Sequence, residues 1–128
     1  PGCIVGAYMC PWLPDEFDRA LTRIFAQDYT LLAPHIDVFT PLIYGEKSGR
    51  PPEWGRDWLA AAPSFVPATA KVQLILDALD FPASLAALAA AESPGWGVQV
   101  FGGAQIFEHE AWATLFQQLC AHIVAQNR

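Results

Sequence analysis

A chain of 128 residues, 53% hydrophobic and 16% charged, is long enough to bury a core, and residues 1–128 read as a single domain. Its formal charge of -6 argues against nucleic acid, because phosphates need clustered Lys and Arg and the seven basic residues are scattered. No apolar run reaches the length of a membrane span, and no basic start leads into an apolar middle, so the chain reads as soluble, without a membrane partner and of unknown location.

The chain opens PGCIVGAYM, strand-like from the start and without an initiator Met, which reads as an excised or processed segment. Cys3 to Cys10 is an apolar strand bounded by Gly2 and Pro11. Pro11 and Pro14 turn the chain into a helix over about Asp15 to Leu32. Phe17, Leu21, Ile24, Phe25 and Leu32 recur there at helical spacing and are expected to face the core. Pro34 ends that helix. Asp37 to Tyr44 is the second strand, Gly45 to Gly55 a polar loop, and about Arg56 to Ala62 a short helix.

Lys71 to Asp77 is the third strand. Asp80-Phe81-Pro82 opens a helix running to about Glu92, with Pro near its first position and Asp80 as its N-cap. Gly97 to Phe101 is the fourth strand, and a final amphipathic helix covers about Glu108 to Gln126. The order is βα four times. Strands joined through helices run parallel, and such crossovers are right-handed.

Strand residues alternate faces. Val72, Leu74 and Leu76 oppose Gln73, Ile75 and Asp77; Val98 and Val100 oppose Gln99 and Phe101; Phe39, Pro41 and Ile43 oppose Thr40, Leu42 and Tyr44. Each strand thus has an apolar face for helices and a mixed face that turns polar toward its C-terminal end, as in a barrel interior. A doubly wound sheet would prefer both faces apolar. The fold expected is α/β, a parallel (βα)4 half of a TIM barrel. Four strands leave two open edges where a closed barrel has eight strands, so self-association into a homodimer or higher homo-oligomer through the open sheet is expected. A missing N-terminal half, or a relaxed open sheet, are the alternatives.

Residues 26–54, AQDYTLLAPHIDVFTPLIYGEKSGRPPEW, resemble the C-terminal half of glycoside-hydrolase-like TIM-barrel proteins of uncharacterised type, which carry a pattern like GQDY…LA…DVFSPMVY…GRP.EW. GAYMCPW, LILDALDFP and GVQVFGG are similar to that half's other strands, so the likeness spans nearly the whole chain. The resemblance implies a carbohydrate-directed barrel with its pocket at the C-terminal ends of the strands. The N-terminal strands of such barrels, with their strand-end acid, have no counterpart here. Asp77 stands where the resemblance leads one to expect an amide.

Glycoside hydrolysis needs two carboxyl groups across a sugar. Asp77, an acid ending an apolar strand, and Glu46, in the loop after the second strand, are the catalytic candidates; a rim salt bridge and a solvated loop acid are their structural alternatives. Tyr8, Trp12, Tyr44 and Phe101 are candidate sugar platforms beside Gln73 and Gln99 on the mixed face, although aromatics more often pack in cores. No metal is expected, since His35, His109 and His122 lack ligand spacing. No cofactor is expected either, since Gly102-Gly103 lacks a phosphate-binding pattern. Cys3, Cys10 and Cys120 read as buried free thiols. The functional expectation is a half-barrel segment that is glycosidase-like once complemented by a second half and inactive alone. The alternatives are a non-catalytic self-assembling half-barrel and a flavodoxin-like domain for a small ligand.

Overall fold

Four parallel strands lie side by side in the order in which the chain makes them in the computed structural model, which describes residues 2–80 and 82–128. They are β1 (Gly6–Met9), β2 (Val38–Ile43), β3 (Lys71–Asp77) and β4 (Gly97–Phe101). Helices α1 (Glu16–Arg23), α2 (Tyr29–Leu32), α3 (Trp54–Ala61), α4 (Ala83–Ala89) and α5 (Glu110–Gln126) fill the connections. A flavodoxin-like sheet reverses its strand order at a switch point. The order β1-β2-β3-β4 has no such reversal. Right-handed crossovers then place successive helices on one face.

Register carries the two faces across the sheet. Ala7 pairs with Phe39, Phe39 with Val72, and Leu74 with Val98. This side holds the core: Met9, Phe39, Ile43, Leu74 and Leu76 are buried against Leu21, Trp54, Trp58, Leu85, Leu88, Leu119 and Ile123. Each large side chain buried in this way contributes about 1.5–3 kcal/mol. The other side joins Tyr8 to Thr40 and Ile75 to Gln99, with Asp77 beside Phe101.

On that second face Tyr8 is 61% exposed and Phe101 57%, whereas Thr40 and Ile75 of the central strands are buried. The Tyr8 hydroxyl donates to Gln99 Oε1 at 3.4 Å. These residues belong to the outermost strands, and side chains standing upright on a flat four-stranded sheet would hold them about 14 Å apart. The long side chains of the outer strands therefore lean toward one another over a floor of shorter ones, and the face holds a trough between them.

The segment expected as one long helix is two short ones. Asp28 ends the run by capping α2, its Oδ1 accepting the Thr30 and Leu31 amides at 2.9 and 3.1 Å. Inside α1, Phe17, Asp18 and Arg19 lie in the left-handed region at φ 52, 54 and 59°. Each costs roughly 1–2 kcal/mol relative to right-handed backbone. This turn breaks the helical period, so of the five expected core residues only Leu21 is fully buried. Leu32 is half-buried, and Phe17, Ile24 and Phe25 are exposed.

The strand boundaries of β3 and β4 agree with expectation, and β1 is shorter, beginning at Gly6. Cys3 precedes it and is exposed, and Cys10 and Cys120 are half-buried, so the three thiols are less enclosed than expected. Asp80 does not cap α4, whose N-cap position is Pro82. Phe81, the middle of the expected helix opening, and Pro1 lie outside the described residues.

Candidate functional site

The C-terminal ends of β2, β3 and β4 bring four side chains together. Tyr44 follows β2 directly, Asp77 ends β3 and Phe101 ends β4. Lys47 comes from the 3-10 turn Glu46–Ser48, which Gly49 closes at φ 63°. The strands are parallel, so their C-terminal ends share one rim, and the register pairs Asp77 with Phe101 on the trough face.

Asp77 is the buried charge of this rim, 4% exposed. Burial pushes its carboxyl up; the Leu79 amide, donating to Oδ1 at 3.0 Å, and the Lys47 ammonium on Oδ2 outweigh that and hold it below the usual carboxylate range. It is an ionised carboxylate, suited to act as a base, a nucleophile or a counter-charge and unsuited to donate a proton. Lys47 is held above the ordinary lysine value, first by its hydrogen bond to Asp77. Its Nζ lies 5.3 Å from the centre of the Tyr44 ring and 5.6 Å from that of Phe101. The two rings are 5.9 Å apart. Burial and the Asp77 charge raise the Tyr44 hydroxyl, which stays protonated at neutral pH.

The loop carrying Lys47 is fixed by Asp80, whose carboxylate accepts the Gly45 and Glu46 amides at 2.6 and 2.7 Å. It is fixed again by Arg50, whose amide donates to Gly45 O at 2.9 Å while its guanidinium meets Glu16 Oε1 at 2.6 Å and lies over the Trp54 ring. Residues 26–54 thus do structural work at both ends. Gln27 accepts the Cys10 amide at 2.7 Å and ties down the end of β1.

A second group lies lower in the trough. Gln99 Nε2 donates to Gln73 Oε1 at 2.8 Å, and Tyr8 joins through Gln99. Together with Ile4, Thr40 and Trp96 they line a cleft of about 210 Å³. Tyr8, Gln73 and Gln99 are thus brought together in the cleft, and Tyr44, Asp77 and Phe101 at the rim. Two candidates stand apart from both groups. Trp12 stacks with Phe17 and Phe25 at 4.6 and 5.5 Å, over α1. Glu46 is exposed and enters the rim through its backbone amide, not its carboxylate. Lys47 was not singled out in the sequence; the one available signal was a cation set between Gly45 and Gly49, directly after an aromatic strand end.

Among the described residues no three of His, Cys, Asp and Glu come together as metal ligands, and no helix is long and apolar enough to cross a membrane. Searches against protein-family models, curated proteins and solved structures found no match to this chain.

Proposed function

We propose that the chain is half of an eight-stranded barrel whose strand-end rim binds carbohydrate, in the manner of the glycoside-hydrolase-like proteins its sequence resembles. The observation that carries this reading is the meeting of Tyr44, Asp77 and Phe101 at the C-terminal ends of three consecutive parallel strands. Aromatic faces beside a buried carboxylate suit a sugar ring and its hydroxyls. The half-barrel is supported by the sequential strand order, by the mixed face whose outer side chains lean together, and by the two sheet edges without a neighbouring strand among the described residues. Exposed apolar side chains stand on or just before the two outermost strands, Ile4, Val5 and Tyr8 at β1 and Trp96 and Phe101 at β4. A second copy about a twofold axis supplies the four missing strands in the right direction.

Hydrolysis needs a proton donor opposite the ionised Asp77. Glu46 does not fill that place here, and a second copy brings only the same acids, so the proton donor is expected from a different completing half in a longer chain and this chain, assembled with itself or not, is expected to be inactive. A second reading, a self-assembling half-barrel without catalysis, is favoured by Lys47, which already occupies Asp77. Light scattering at micromolar concentration tests assembly: a particle of twice the 14.0 kDa chain is expected, and a clean monomer removes it. Chromogenic glycosides, offered to the isolated chain and to longer chains carrying further βα units, separate the two readings. If hydrolysis is seen, Asp77→Asn should abolish it while the fold survives. Unchanged turnover in that variant removes Asp77 from the mechanism.

A further inference from the structure

We infer that the strand-end cradle takes the ammonium group of an amino sugar, and that Lys47 is the chain's own stand-in for it. This rests on the carbohydrate reading above and narrows it to a substrate class.

The cradle has the parts a cation requires. Both rings lie within the range at which an aromatic face attracts an ammonium, at 5.3 and 5.6 Å from Nζ. The Asp77 carboxylate behind them is buried and already ionised, and it touches the same ammonium. A neutral hydroxyl needs no buried counter-charge. An anionic sugar would meet Asp77 as a like charge once Lys47 was displaced. An amino sugar offers both an ammonium for Asp77 and a ring to lie along Phe101, which is 57% exposed.

Lys47 is placed to yield. Its side chain is 51% exposed, and it reaches in from a short turn set between Gly45 and Gly49. When it leaves, Asp77 keeps its orientation, because Oδ1 still accepts the Leu79 amide. Only Oδ2 is released, at the place where the ammonium stood between Tyr44 and Phe101. The loop also stays in place, held by Asp80 through the backbone of Gly45 and Glu46 and not through the lysine.

The test is calorimetric titration of the unchanged chain and of Lys47→Ala with three probes: a β-1,4-linked glucosamine tetramer, its fully N-acetylated counterpart and cellotetraose. Mildly acidic buffer keeps the sugar amines protonated. The variant is expected to bind the glucosamine tetramer roughly 10-fold more tightly than the unchanged chain does, with no gain for the other two. Adding Asp77→Asn should remove that gain. An equal gain for all three tetramers overturns the ammonium assignment and leaves the carbohydrate reading standing. Binding of none of them to either chain overturns both. If circular dichroism shows that Lys47→Ala does not fold, the unchanged chain decides. The glucosamine tetramer, and not its acetylated counterpart, should shift the NMR signals of the Lys47 ε-methylene; no shift overturns the inference.

Discussion

Asp80 Oδ2 accepts the Gly45 amide at 2.6 Å across 35 positions of sequence, closing the loop after β2 onto the loop after β3. Its second oxygen takes the Glu46 amide, so one carboxylate orients the turn that carries Lys47. Charge-assisted bonds of this kind contribute about 1.5–3 kcal/mol. Asp80→Ala is therefore expected to cost about 2 kcal/mol in urea unfolding and to loosen the loop, read as faster amide exchange at Gly45 and Glu46. Asp80→Ala with unchanged exchange at those amides refutes the clamp.

The Lys47–Asp77 pair sets a pH window. Asp77 is held below its ordinary 3.8, so its contribution is present above that value and is lost as pH falls through the lower folded value. Lys47 is held above 10.5, so its contribution is present below that value and is lost as pH rises through the higher folded one. The stability gap between the unchanged chain and Lys47→Ala should be widest between these limits and narrow at both ends. In Lys47→Ala the Asp77 carboxyl should titrate at higher pH, because burial remains and the cation is gone; carbon-13 NMR of the carboxyl measures it.

Tyr29 is buried with its hydroxyl unpartnered among the described residues, its ring packed on Phe39 and Phe65 at 4.9 and 5.3 Å. Burial pushes that hydroxyl far up from its ordinary value. An unmatched buried polar group costs about 1–3 kcal/mol. Tyr29→Phe keeps the ring and removes the cost, so a melting temperature a few degrees higher is expected. A lower one would reveal a hydrogen bond to that oxygen.

A Cβ at Gly97 would come within 2.8 Å of Gln73 Nε2. The glutamine tip is flexible and would swing away, breaking its bond from Gln99. Gly97→Ala should cost about 1 kcal/mol and shift the Gln73 and Gln99 side-chain amide signals, with little change at Asp77. Unmoved amide signals would mean the pair is not joined.

Much of the fold is legible because its signals are local. KVQLILD and GVQVF show their length and two faces by alternation, and they are β3 and β4 as written. Asp77 and Phe101 read as rim residues for the same reason. Helical spacing misled over residues 16–32, because it is blind to a cap at Asp28 and to left-handed backbone at Phe17. Trp12 follows a strand as Tyr44 does, yet its ring packs on Phe17 and Phe25.

The chain's own order of residues was enough to determine four βα units, a parallel sheet and one face more polar than the other, since alternation and turn residues act over a few positions. Only tertiary structure decided the partners at the rim. Lys47 meets Asp77, and Asp80 meets Gly45, across 30 and 35 positions, and strand register, not neighbouring sequence, brings them together. The same register made Asp77 a paired, ionised counter-charge and left Glu46 in solvent, a difference that two acids near strand ends do not show in sequence.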